Sequence, residues 1–199
     1  MSITPTFILL CLAAYLLGSV PFGFVFAKVF CGRDPRREGS KNIGATNVAR
    51  LCGLPFGILT LVCDALKGLA PTWLALHLLM EPQSAAVVGL CALLGHMYSV
   101  FLGFKGGKAV ATTIGVFVPL AFTCLLISAA ACLAVIAITR YVSLGSLTLA
   151  AALPITLGLF GRFDILPVAI LVMLVIFYKH RENIRRLLAK QEKKFGHRD

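Results

Sequence analysis

Two polar, glycine-bearing stretches interrupt a chain that is otherwise apolar. The first is Glu38-Gly-Ser-Lys-Asn-Ile-Gly-Ala-Thr-Asn-Val-Ala-Arg50. Gly39 and Gly44 admit positive φ and leave backbone N–H groups to converge on one point. Ser40, Asn42, Thr46 and Asn47 add neutral donors, and Lys41 and Arg50 add positive charge. A phosphate needs this set: donors without bulk, hydroxyls beside them, and a guanidinium to clamp two oxygens. A helix starting near Thr46 places Thr46 and Arg50, four apart, on one face, with its N-terminus favouring an anion. The other reading is an ordinary basic loop that only orients the protein in a membrane.

The second stretch is Gly103-Phe-Lys-Gly-Gly-Lys-Ala-Val-Ala-Thr112. Gly106 and Gly107 allow close backbone approach, and Lys108 reaches an oxyanion. The GxxxxGK[ST] spacing of a Walker loop is missing. Further along, Ser143 and Ser146 lie three apart at the start of an apolar span. In Lys179-His-Arg-Glu-Asn-Ile-Arg-Arg186, His180 and Asn183 share a helical face. Glu182 points elsewhere, toward Arg185 or Arg186. The tail from Lys190 to Arg198 reads as a basic helix touching anionic lipid. No paired carboxylates, metal-ligand cluster or Ser-His-Asp pattern emerges, so hydrolysis by a metal or a carboxylate dyad is not expected.

These segments must be positioned by membrane helices. Of 199 residues, 59% are hydrophobic and only 14% charged, against about a quarter charged in soluble domains. The net charge of +11 comes from basic clusters at Lys28 to Arg50, Lys105 and Lys108, Arg140, and Lys179 onward. The positive-inside rule puts all four on the cytoplasmic side. Basic residues that flank apolar spans, without a basic domain carrying interleaved aromatics, argue against nucleic acid as a partner.

The spans read as Ile3 to Ala27, kinked at Pro21 so that a freed carbonyl needs a protein donor; Leu54 to Leu79, with Asp64 and Lys67 pairing at i, i+3; and Ser84 to Leu102, with His96 as a buried packing residue. Met80 to Gln83 is a short outer turn. Ala109 to Thr139 is 31 residues between two basic clusters, so it must cross an even number of times, turning near Pro119. Its first helix is then shorter than the ~20 residues a straight span needs. A span from Arg140 to Phe160, an outer turn at Gly161 to Asp164 and a last span from Ile165 to Tyr178 follow. The seven cysteines, odd in number and without a CxxC, read as small apolar residues of a chain not exposed to oxidation. The first span lacks a small-residue cleavage site and is not read as a removable signal.

Gly18-Ser-Val-Pro-Phe-Gly23, Gly39-Ser-Lys-Asn-Ile-Gly-Ala-Thr-Asn47 with Arg50, Asp64-Ala-Leu-Lys-Gly68, Lys105-Gly-Gly-Lys-Ala-Val-Ala-Thr112, Arg140-Tyr-Val-Ser143 and His180-Arg-Glu-Asn183 resemble, in order, the bacterial acyl-phosphate:glycerol-3-phosphate acyltransferases, the PlsY family. Ala109 departs from the pattern, where the family often has glycine. The resemblance implies an all-α integral membrane protein of about seven transmembrane helices, a single domain over 1–199. Its N-terminus would lie outside and its C-terminus in the cytosol, with short or broken helices around a cytosol-facing active site in the bacterial inner membrane. It implies acyl transfer from acyl phosphate to the 1-hydroxyl of glycerol 3-phosphate, giving lysophosphatidic acid and inorganic phosphate, the first acylation of phospholipid synthesis.

Acyl phosphate is an activated mixed anhydride, so no cofactor is implied. The implied partners are membrane lipid and the soluble enzyme that makes acyl phosphate. On this reading Ser40, Asn42, Gly44, Thr46, Asn47, Gly106 and Gly107 bind substrate phosphate, and Arg50 and Lys108 neutralise it. Ser143, His180 and Asn183 orient glycerol 3-phosphate, with His180 either the general base or a positioning group beside a substrate phosphate that takes the proton. The competing class is a membrane carrier for phosphorylated metabolites, which the intramembrane Asp64 and Lys67 would suit. Against it stand the absent outer mouth and the absence of a repeat about the midplane.

Overall fold

The computed structural model describes residues 3–79 and 81–196. Met80 and the tail beyond residue 196, both included in the sequence reading, lie outside the described residues. The regular elements among the described residues are all helices, and the chain divides into two compact units, 1–120 and 121–199.

The first unit holds α1 (Pro5–Ser19), α2 (Phe22–Cys31), α3 (Ala45–Cys52), α4 (Leu54–Leu79), α5 (Pro82–Met97), a 3-10 turn at Val100–Leu102 and α6 (Val110–Leu120). Thr4 starts α1 by accepting from the Phe7 N–H (3.2 Å), with Pro5 in the first turn, where its missing donor costs nothing. The expected kink at Pro21 is a full break between α1 and α2. At that break Val20 O accepts from the Phe22 N–H (3.2 Å) and from Lys67 Nζ (2.9 Å). Ser19 O accepts from Ser99 Oγ at 2.6 Å. Both side-chain donors are buried, as an apolar solvent demands of any interrupted helix.

Helix α4 is the hub of this unit, packing on α1, α3, α5 and α6. A side chain at Gly68 would strike the Thr112 carbonyl, and one at Gly115 would strike the Ala65 carbonyl. Two small residues thus bring α4 and α6 close enough for backbone contact. Large apolar groups face outward instead, for example Leu9 at 67% exposure, as lipid-facing positions should.

The second unit holds α7 (Phe122–Thr139), α8 (Val142–Leu159), α9 (Leu166–Lys179) and α10 (Arg181–Leu188), with α8 packed between α7 and α9. The turn expected near Pro119 falls at Ala121. In the turn after α8, Arg162 donates to both oxygens of Asp164 (3.1 and 3.0 Å). That bidentate pair accounts for an arginine at a position read as outer. Five described segments are long and apolar enough to cross a membrane: Pro5–Cys31, Leu54–Leu79, Pro82–Leu102, Phe122–Thr139 and Val142–Leu159. Val110–Leu120 and Leu166–Lys179 are apolar but shorter.

Three expectations are corrected. Cys31 and Cys52 are joined by a disulfide, with Cα atoms 5.8 Å apart. They sit at the C-termini of α2 and α3, so the bond closes the segment that carries the first polar stretch. Arg186 pairs with Glu192 (2.6 Å), not with Glu182. Helix α10 stops at Leu188, and the described residues after Lys190 are not helical. Phe195 N–H donates to Arg140 O at 2.8 Å, which returns the tail to the start of α8.

Candidate active site

Asn47 organises the first polar stretch. It sits in the opening turn of α3 and is 1% exposed. Its Oδ1 accepts the Ser40 N–H at 2.8 Å, and its Nδ2 reaches the carbonyls of Pro35 (3.0 Å), Glu38 (3.1 Å) and Asn42 (2.9 Å). One amide thus satisfies four backbone groups of a loop with no regular pairing of its own. Gly39 has φ +61°, and a Cβ there would overlap Asn47 Oδ1, so glycine is required twice over. Gly44 instead adopts ordinary extended backbone as the residue capping α3. Its N–H is taken by Asn42 Oδ1 at 2.8 Å.

The expected phosphate ligands therefore divide. Asn47 and the N–H groups of Ser40 and Gly44 serve the loop itself. So does Asn42 through its oxygen. Ser40 and Arg50 present exposed side chains, and Thr46 is half-buried one turn before Arg50. Helix α3 does begin at Ala45, so Thr46 and Arg50 lie on one face as the spacing required. Outside the loop, the Arg36 side chain beside Asp34 holds that carboxyl down to about 2. Its negative charge is thereby matched locally.

The second stretch is also tied to its own scaffold. Gly106 N–H donates to Met97 O (3.1 Å) and Gly107 N–H to His96 O (3.0 Å). These donors were expected to face a phosphate and instead face α5. The glycines are needed for space. A Cβ at Gly106 would strike His96 O, and one at Gly107 would strike His96 Nε2. The loop leaves Lys108 half-buried at its end.

Ala109 follows with φ +58°, where its carbonyl accepts from both the N–H (2.8 Å) and the hydroxyl (2.9 Å) of Thr113. A left-handed alanine costs roughly 1–2 kcal/mol. The departure from glycine noted in the sequence thus falls on a position whose backbone favours glycine. Ala109→Gly is expected to raise stability by about 1 kcal/mol, with part of the relief lost to backbone entropy. Thermal unfolding in detergent checks this, and an unchanged or lower midpoint contradicts it.

In the second unit, Ser143, His180 and Asn183 are all buried, at 8%, 2% and 5% exposure. His180 closes α9 and opens α10. Its Nδ1 lies 2.9 Å from Ile176 O. A carbonyl only accepts, so Nδ1 carries a hydrogen and donates. Asn183 Nδ2 donates to Glu192 Oε1 at 2.5 Å, and Arg186 Nε to Glu192 Oε2 at 2.6 Å.

Glu192 was not singled out in the sequence. The signal was there, as a lone carboxylate between Lys190 and Lys193-Lys194. Burial pushes Glu192 up, but Arg186, Asn183 and the nearby Ser143 hydroxyl together hold it below the usual carboxylate range. The Ser143 hydroxyl itself closes no hydrogen bond, so its influence is that of a neighbouring dipole. With the folded value lowered, the carboxylate keeps its grip on Asn183 at neutral pH and releases it only in acid.

The sequence pattern of the glycerol-3-phosphate acyltransferase family matches residues 8–190. Curated relatives bearing that name are 58% identical in Nitratidesulfovibrio vulgaris (90% of this chain, 55% of the relative) and 53% identical in Desulfovibrio desulfuricans (90% and 81%). Another, in Lawsonia intracellularis, is 48% identical over 94% of each chain. The chain thus spans about half the length of the N. vulgaris protein and nearly all of the L. intracellularis one. Among solved structures, the glycerol 3-phosphate form of PlsY, an integral membrane glycerol 3-phosphate acyltransferase, superposes with TM-score 0.92 at 42% identity over 96% of each chain. The lysophosphatidic acid form superposes with TM-score 0.89 at 40% identity.

Proposed function

The chain belongs to the glycerol-3-phosphate acyltransferase family, and from that premise we propose that it acylates the 1-hydroxyl of glycerol 3-phosphate with acyl phosphate as donor. The hydroxyl oxygen attacks the acyl carbonyl carbon, the carbon–oxygen bond to phosphate breaks, and the hydroxyl proton ends on the released phosphate. The products are lysophosphatidic acid and inorganic phosphate. One observation carries the reading: a protein with this fold over nearly the whole chain was solved in both a glycerol 3-phosphate and a lysophosphatidic acid form.

Ser40, Thr46 and Arg50 hold the leaving phosphate at the start of α3, where the helix dipole favours an anion. Asn42 adds its amide nitrogen, and Lys108 supplies a further positive charge. Ser143, His180 and Asn183 orient glycerol 3-phosphate. His180, fixed through Nδ1, offers Nε2 as an acceptor for the 1-hydroxyl and positions it. Glu192 and Arg186 hold Asn183 for the same task. Gly106, Gly107 and Asn47 act by shaping their loops. An acyl chain needs little specific binding, since each methylene contributes about 0.8 kcal/mol on partitioning into lipid.

The basic clusters support a cytosolic side for the C-terminus and both loops on the positive-inside rule, and the family resemblance supports about seven crossings of a bacterial inner membrane with the N-terminus outside. The donor would arrive from the soluble enzyme that forms acyl phosphate.

Two experiments test this. Purified protein with radiolabelled glycerol 3-phosphate should form lysophosphatidic acid from palmitoyl phosphate and not from palmitoyl-coenzyme A; the reverse preference would overturn the donor. His180→Gln keeps an acceptor near Nε2 and should lower kcat less than about tenfold, whereas loss of a general base costs ~10²–10⁴. A loss in that larger range would make His180 the base.

A further inference from the structure

Three ionisable side chains lie buried within the first unit, and the reaction above uses none of them. Asp64 and Lys67 are on α4 and His96 is near the end of α5, each at most 3% exposed. The charges of Asp64 and Lys67 in such a place are each kept against a cost of roughly 2.5–3.5 kcal/mol on insertion scales. Lys67 Nζ pairs with Asp64 Oδ1 at 2.8 Å and also donates to Val20 O, a carbonyl at the α1–α2 break. From that break α2 leads directly into the first polar stretch. His96 Nδ1 faces the same Asp64 oxygen at 3.6 Å. Its opposite edge, Nε2, is packed against Gly107 so tightly that no Cβ fits. The His96 and Met97 carbonyls receive the Gly107 and Gly106 N–H groups. Asp64 therefore links the α1–α2 break to the backbone of the second polar stretch.

We propose that His96 and Asp64 are positioning residues for Lys108. Asp64, held by Lys67, fixes the His96 ring. The ring and its carbonyl set the backbone of Gly106 and Gly107, and that backbone aims the next side chain, Lys108, at substrate phosphate. This rests on the reading of Lys108 as a phosphate ligand. A purely structural role for the three groups makes a different demand: it requires fold stability and charge balance, not coupling to Lys108.

A double-mutant cycle on ligand binding separates the two, because coupled residues are non-additive. The dissociation constant of radiolabelled glycerol 3-phosphate is measured by equilibrium dialysis in detergent for wild type, His96→Ala, Lys108→Ala and the double variant. His96→Ala should weaken binding at least tenfold when Lys108 is present and less than twofold when it is absent. Equal weakening in both backgrounds, or none in either, overturns the proposal. His96→Gln, which restores an amide near the Nε2 position, should recover binding to within threefold of wild type. If His96→Ala does not give folded protein, Asp64→Asn goes through the same cycle with the same expectation. Wild-type protein that binds glycerol 3-phosphate but transfers no acyl group would overturn the reaction and leave the cycle interpretable.

Discussion

Asn47→Ala is expected to abolish useful substrate binding while leaving the membrane helices folded. The substitution strands the Ser40 N–H and three carbonyls that the amide now satisfies. Each buried group left unpaired costs about 1–3 kcal/mol. Water entering the loop would recover part of this, so a local loss of ~3–5 kcal/mol is expected. The loop would then populate open forms in which Ser40, Thr46 and Arg50 no longer form the proposed phosphate site. KM for acyl phosphate should rise by more than about a hundredfold, since ~1.4 kcal/mol corresponds to a factor of ten. Limited proteolysis should cut faster between Arg33 and Lys41. Asn47→Asp should be at least as damaging. It keeps the accepted bond from Ser40, loses all three donated ones, and adds a negative charge beside the proposed anion site. Near-normal KM in Asn47→Asp would contradict this account of the loop.

Arg50→Ala is expected to act on the substrate and not on the loop. Its side chain is exposed on α3, and in the proposed complex it makes charge-assisted bonds to phosphate worth roughly 1.5–3 kcal/mol. KM should rise about ten- to a hundredfold, with the unfolding midpoint and protease resistance unchanged. Arg50→Lys should recover part of the loss, as an ammonium restores charge but not two-point contact. An unchanged KM for both substrates in Arg50→Ala would remove this residue from the site. The two variants differ in kind: under the proposal Arg50→Ala removes a phosphate ligand, and Asn47→Ala removes what holds the loop in place.

Much of this was legible from residue types and spacing. Asp64 and Lys67 at i, i+3 in an apolar run could pair on one helix face, and they do. Pro21 had to interrupt the first span, and at the break Val20 O takes a donor, Lys67, from a helix distant in sequence. Thr46 and Arg50 required only that a helix begin before them. The direction of backbone and amide groups was much less legible. Asn47, Gly106 and Gly107 are the right types for a phosphate cradle, but an amide or N–H serves a loop as readily as a ligand. Only three-dimensional packing decides between them.

Glu192 was hidden by its setting, since a tail rich in lysine reads as a solvated surface. Cys31 and Cys52, 21 residues apart, have no local signature, because their meeting depends on how α2 and α3 return to one another. Ala109 shows the reverse case. A departure from a family pattern, visible in one residue, falls where the backbone takes φ +58°.

The central claim is that glycerol 3-phosphate is the acceptor and acyl phosphate the donor. The most direct measurement is phosphate release by purified, detergent-solubilised protein given palmitoyl phosphate, with and without glycerol 3-phosphate. The account predicts release that depends on glycerol 3-phosphate and matches lysophosphatidic acid formed one for one. Folded protein that releases no phosphate under these conditions, or releases it without forming lysophosphatidic acid, would contradict it.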